Sequence, residues 1–358
     1  MNLTILSRYS RQGASSRLRT MQYLPYLQAA GFDVTLAPFF GDDYLGRLYS
    51  GQSTRSEVLH AYRRRLGQLR AARNADLIWI EKEALPWMPW AIERAALPRH
   101  VPIVSDYDDA VFHRYDLHRR GLVRRLLGRK LDRLMAASTL VTPGNAYLAD
   151  RAKAAGAGRV MVVPTVVDAT AYRLRAPSSP AGRPMVIGWI GSPSTWGDYM
   201  VPMLPMLTQL ADTSGARILA IGAPQATCHP AVDIRRWSEE TEVDQIREMD
   251  IGLMPLDDSP WSRGKCGYKL IQYMACGVPV IAAPVGVNVD IVEPGVNGFL
   301  ASTEAEWRSA IATLQADPDL RARMGAAGRQ KVEQHYSLQV WGPRVASAMA
   351  GLARRRHT

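Results

Sequence analysis

Residues 262–281 read SRGKCGYKLIQYMACGVPVI. A basic loop runs into a stretch with helical spacing, then a Gly-Val-Pro turn, then an apolar strand. Gly264 and Gly267 let the backbone fold tightly against a ligand. Arg263, Lys265 and Lys269 bring positive charge to the helix start with no acid among them. Cations there oppose the helix dipole, and an anionic ligand resolves the conflict. The stretch therefore reads as one loop–helix–turn–strand unit of an α/β sheet, with an anion held at the loop.

The same alternation extends on both sides. Strand-like runs cover residues 3–9, 32–39, 75–83 and 101–112, with helical spacing over 17–31 and 56–73. The pattern restarts at 185–195 and continues with strands at 216–224, 232–237, 250–256 and 279–286. This βαβα order predicts parallel sheets covered by helices, as two Rossmann-like halves. The proline-bearing segment 172–184 breaks it. The expected organisation is a first domain over 1–172, a linker over 173–184, a second domain over 185–336 and a closing helix over 337–358.

A chain of 358 residues, 47% hydrophobic and 22% charged, suits two soluble globular domains. Its 44 basic and 33 acidic residues leave a net charge of +11, which favours acidic partners such as nucleotide phosphates or anionic lipid. Nucleic acid is not expected, because aromatics are not interleaved with the basic residues. The three cysteines, Cys228, Cys266 and Cys276, show no paired metal spacing and no disulfide framework, which points to a reducing compartment. The first apolar run is too short for a signal peptide, and no run approaches the ~20 apolar residues that span a bilayer. The expectation is a cytoplasmic protein.

Ligands of open α/β sheets bind at the carboxyl ends of strands. Four loops fall there. Gly13 follows the first strand. Asp106, Asp108 and Asp109 crowd together after the fourth, where one could orient a hydroxyl or act as a base. No His or Glu completes a metal set beside them, so no metal is expected. In GSPST, Gly191 permits close approach, and Ser192, Ser194 or Thr195 can cap the following helix, whose start favours a phosphate. The fourth loop is the opening one, where Cys266 and Tyr268 flank Gly267. There is no GxGxxG and no Walker lysine motif, which argues against a nicotinamide enzyme or a P-loop ATPase. Residues 117–138 form a further feature, an expected single helix. Leu122, Leu126 or Leu127, Leu131 and Leu134 give it a stripe, ringed by Arg119, Arg120, Arg124, Arg125, Arg129, Lys130 and Arg133. It reads either as a packed helix with a solvated basic face or as a contact for anionic lipid.

These motifs, above all residues 250–300 with YMACGVPVI and GVNGFL, resemble family 4 retaining glycosyltransferases of the GT-B fold. The resemblance covers nearly the full length. It implies two Rossmann-like domains facing across a cleft, with the last helix packing back on the first. It implies a nucleotide-diphosphate sugar as donor, a sugar, lipid-linked or small-molecule acceptor, no cofactor and no metal. Many members carry two glutamates separated by seven residues; here Gly264 and Gln272 stand at those positions. By this resemblance Gln272 meets the ribose through an amide rather than a carboxylate. Gly191, Ser192, Ser194, Thr195, Arg263, Gly264, Cys266, Gly267 and Tyr268 line the donor. Lys265 and Lys269 neutralise the diphosphate, and Asp106 or Asp108 orients the acceptor. The competing readings are a non-catalytic sugar-nucleotide binder and a nucleotide-sugar epimerase. Peripheral contact with the inner face of a membrane follows from the basic stretch alone.

Overall fold

The computed structural model describes residues 1–41, 44, 47, 55–175, 183–225 and 229–354. The chain forms two compact units. The first comprises Met1–Thr165, Arg263–Cys266 and the chain from Trp341 onward; the second comprises Val166–Ser262 and Gly267–Val340. The division thus falls at residue 165, ahead of the expected linker, of which residues 176–182 lie outside the described residues.

In the first unit, β1 (Asn2–Leu6), β2 (Asp33–Leu36), β3 (Leu77–Glu81), β4 (Ile103–Tyr107) and β5 (Leu140–Pro143) form one parallel sheet. Its order is β2-β1-β3-β4-β5. Every residue of β3, β4 and β5 is buried. That fits a sheet covered on both faces, although Glu81, Ser105, Asp106 and Thr142 bring polar groups into these strands. Edge strand β2 is largely exposed and alternates polar residues instead.

In the second unit, the strands are β6 (Val186–Ile190), β7 (Arg217–Ile221), β8 (Val232–Arg235), β9 (Ile251–Met254), β10 (Val280–Ala282) and β11 (Gly298–Leu300). Their order, β11-β10-β9-β6-β7-β8, is the doubly wound dinucleotide-fold order read from one edge. One face packs Trp189, Leu207 and Ile311; the other packs Ile271, Met274 and Val332.

The opening stretch folds as its pattern predicts. Helix Tyr268–Ala275 buries Leu270, Ile271, Tyr273 and Met274. Gly267 starts it at φ 66°, and Gly277 turns the chain into β10 at φ 72°. Both values lie in the left-handed region that favours glycine. The last helix, Leu338–Arg354, seats its Gly342 on Tyr26 within the first unit. A Cβ there would lie 2.6 Å from that ring.

The basic stretch departs from the expected single helix. It forms two helices, Gly121–Leu127 and Lys130–Ala137. Leu127, Leu131 and Leu134 are buried, but Leu122 and Leu126 are 68% and 56% exposed. Lys130, expected among the surface cations, is buried instead. Its ammonium lies 2.6 Å from Glu83 and 2.8 Å from Glu93. Two buried carboxylates require a cation, and the break after Leu127 turns Lys130 inward to supply it.

Candidate functional site

The carboxyl edge of the second sheet places three predicted elements together. Gly191 ends β6, where a Cβ would lie 2.5 Å from the Trp189 ring and 2.8 Å from Thr195 Oγ1. Gly222 ends neighbouring β7 at φ 79°, and a Cβ there would lie 2.2 Å from the Gly191 carbonyl oxygen. Two adjacent strand ends thus pack closely, and their N–H groups are already bonded, Gly191 donating to the Ile221 carbonyl at 3.0 Å and Gly222 to the Arg235 carbonyl at 2.8 Å. Ser192 caps the next turn, and its partner Thr195 bonds back to the Ser192 backbone N–H at 3.1 Å in a capping box. Ser194 shares the Ser192 hydroxyl at 3.0 Å. Lys269 holds its ammonium 5.2 Å from the centre of the Trp189 ring. The cation therefore lies beside the strand end that carries Gly191.

Gln272 is buried one helical turn further on. Its amide nitrogen donates to Tyr172 Oη at 2.9 Å, and that hydroxyl donates to Glu242 at 2.9 Å. Tyr268 Oη lies 3.2 Å from the same hydroxyl, and Trp237 Nε1 donates to Glu242 at 2.7 Å. Tyr172 fixes which way the Gln272 amide points. Tyr172, Trp237 and Glu242 escaped sequence reasoning, because nothing in their spacing connects them.

Residues 263–266 belong to the first unit. Gly264 and Cys266, expected within the second domain, pack within the first unit instead. A Cβ on Gly264 would lie 2.5 Å from Ala110 Cβ and 2.7 Å from its backbone nitrogen, so the glycine is demanded by packing and leaves no room for a glutamate. The buried Cys266 thiol donates to the Asp108 carbonyl at 3.0 Å and packs against Gly144, so its role there is structural. Burial pushes that thiol's pKa up. Asn145 clamps the same loop, donating to the Lys265 carbonyl at 2.8 Å while capping helix Ala146–Ala154. Lys265 thereby joins the field around Asp109. Gly267 and Gly13 are filled likewise: a Cβ on Gly267 would lie 2.2 Å from Ile291, and one on Gly13 2.4 Å from Tyr9. Gly264→Ala is expected to destabilise the first unit by roughly 1–3 kcal/mol, measured as a shifted urea midpoint; an unshifted midpoint would show that Ala110 yields freely.

Asp106 is buried, and Arg19 grips both carboxylate oxygens, at 2.7 and 2.9 Å. Thr142 donates a third bond at 2.7 Å. Burial and these three bonds tie Asp106 into the packing of the first unit. Asp108 and Asp109 are half-buried at the same strand end. Burial alone would raise Asp108, but Lys82 and Arg19 override it and hold Asp108 below its usual range. Burial and the charge of Asp108 push Asp109 above its own. A cavity of about 380 Å³ lies at the opposite, amino-terminal edge of this sheet, against Ile103 and Thr139. That is the edge where such sheets do not place chemistry. Among the described residues no cluster of three or more His, Cys, Asp or Glu could hold a metal ion.

Residues 185–317 match the family described as Glycosyl transferases group 1. A segment of 84 residues is 34% identical to a GDP-mannose-dependent monoacylated alpha-(1-6)-phosphatidylinositol monomannoside mannosyltransferase of Corynebacterium glutamicum, covering 23% of this chain and 22% of that protein. A segment of 103 residues is 32% identical to a D-inositol 3-phosphate glycosyltransferase of Xylanimonas cellulosilytica, covering 28% and 22%. The match thus spans 22% of the length of each of these curated relatives. Among solved structures, sucrose-phosphate synthase from Thermosynechococcus elongatus superposes with a TM-score of 0.74 at 15% identity, over 99% of this chain and 98% of that one. Anabaena HepE in complex with UDP gives 0.72 at 17%, over 98% and 100%. These likenesses establish the fold: two parallel sheets of Rossmann-like character, as in GT-B glycosyltransferases.

Proposed function

We propose that this chain is a retaining glycosyltransferase that moves a sugar from a nucleotide-diphosphate sugar to a glycan, lipid-linked or small-molecule acceptor. One observation carries the reading: within the segment that matches the glycosyltransferase family, the sheet switch point joins the strand end at Gly191 and the capped Ser192 turn to the Lys269 cation. A cation at the carboxyl end of a strand, beside the switch point, suits a diphosphate. Lys269 stabilises the charge that develops on the departing diphosphate. The Gln272 carbonyl, oriented through Tyr172, accepts a ribose hydroxyl. Tyr268 closes the ribose side. Asp108 or Asp109 orients the acceptor.

Thermal-shift titration with UDP-glucose and GDP-mannose tests the donor half, since a ligand selective for the native state raises apparent stability. Stabilisation by one of them, followed by product anomer analysis showing retention, is the expected result. Neither donor shifting the transition would defeat the reading.

The exposed side of helix Gly121–Leu127 favours a lipid-linked acceptor. Leu117, Leu122 and Leu126 project into solvent among exposed Arg119, Arg120, Arg124, Arg125 and Arg129. Exposed Trp87 stacks edge-on to His118 beside them. Apolar side chains ringed by arginines suit an anionic headgroup layer, at about 1 kcal/mol per cation. No described helix is long and apolar enough to cross a membrane. The protein is expected to sediment with phosphatidylglycerol vesicles at low salt and to be released at high salt. Absence of binding at both salts would end the membrane contact.

A further inference from the structure

The first sheet carries a charged group that the donor chemistry does not use. Its order places the topological switch between β1 and β3, where open α/β sheets take ligands. Lys82 follows β3 directly, Asp108 follows β4, and Ser15 lies in the helix after β1. The Lys82 ammonium is 2.9 Å from Asp108 and donates to Ser15 Oγ at 3.0 Å. Glu81 is wholly buried, and its Oε1 has no hydrogen-bond partner among the described residues although it lies 3.9 Å from that ammonium. Lys82 itself sits at φ 65°, the left-handed region. That conformation is strained for a non-glycine residue and persists only where the surroundings impose it.

Three carboxyl groups, Glu81, Asp108 and Asp109, therefore converge near one ammonium. Asp108 is committed to it. Asp109 stands beside the pair, half-buried, and the charges that face it are Asp108, Lys265, Lys82 and Arg114. We infer that Lys82 is a positioning residue of a hydroxyl-binding site in the first unit: it holds Asp108 in place, and Asp109 receives a hydroxyl of a neutral, polyhydroxylated acceptor. This inference rests on the glycosyltransferase reading above. Asp109 accepts a hydrogen bond, so its carboxylate form is the competent one. Lys82 favours that form, and losing the cation shifts the balance toward the proton.

The test compares wild type, Lys82→Met, Lys82→Arg and Asp109→Asn, with UDP-glucose and GDP-mannose as donors and octyl α-mannoside and myo-inositol as probe acceptors. Lys82→Met is expected to lower kcat/KM for the acceptor on the order of tenfold or more, with donor affinity by calorimetry unchanged. The acid limb of its pH–rate profile should move to higher pH. Lys82→Arg should restore most of the loss, and Asp109→Asn should not be restored by raising the pH. If no probe accepts sugar, water is the acceptor, and the same loss is expected in donor hydrolysis. Wild-type acceptor kinetics in Lys82→Met, or an arginine variant as impaired as the methionine one, overturns the Lys82 role alone. A wild type that neither binds nor turns over either donor overturns the parent reading, and this one with it.

Discussion

Arg19→Met is expected to destabilise the first unit by about 3–5 kcal/mol, because it strands a buried carboxylate. Arg19 and Asp106 are each about 1% exposed, and two parallel N–H···O bonds join them. The guanidinium also donates to the Val163 carbonyl at 2.7 Å and reaches the Thr142 carbonyl at 3.3 Å. One side chain thus fastens the helix Ala14–Arg19 to β4, β5 and the segment beyond. Burial alone would lower the Arg19 pKa, but Asp106 outweighs it and raises the group above its usual value. In Arg19→Met that balance vanishes, and Asp106 must take up a proton or draw in water. Chemical denaturation followed by near-ultraviolet circular dichroism measures the loss. The double variant Arg19→Met/Asp106→Leu should recover much of it, since removing both charges avoids the uncompensated one. A single variant within 1 kcal/mol of wild type would mean the pair is spectator to folding.

Lys269→Ala is expected to reduce transfer by on the order of 10²–10³-fold, the range for deleting one preorganised charge-stabilising donor. The stem of Lys269 leaves the helix Tyr268–Ala275 and its head lies against Trp189, itself packed edge-on to Trp196 at 5.2 Å. The aromatic floor fixes the cation before substrate arrives, so little ordering remains for the reaction step. Lys269→Arg should keep part of the rate, because the charge remains while the geometry changes. Steady-state kinetics with UDP-glucose or GDP-mannose decides it. Unaltered turnover in Lys269→Ala would remove this residue from the diphosphate.

The strands and the helix after Gly267 were legible in the sequence because buried parallel strands write themselves as apolar runs and glycines mark their ends. The capping role of Ser192 and Thr195 was legible for the same local reason. What failed was anything decided by a distant partner. Asp106 looks like its neighbours until Arg19 is brought to it by the sheet. Gly264 looks like a ligand loop until Ala110 fills the space. Lys130 sits in a run of surface cations, yet Glu83 and Glu93 claim it. Lys82 carries no motif at all; only its backbone angle and its neighbours single it out. The buried charged pairs of the first unit are therefore the part written least in local pattern.

The split membership of residues 263–266 and of the chain from Trp341 onward bears on synthesis. Domains generally fold as the chain emerges, amino-terminal first. Here the first sheet is translated early, but Ala110 and Asn145 wait for Gly264 and Lys265, and Tyr26 waits for Gly342. The first unit is complete only once the helix Leu338–Arg354 has been made. A truncated message would yield a nascent sheet with those surfaces bare, and a stop codon after residue 340 should send the product to chaperones or proteases rather than to a smaller working enzyme.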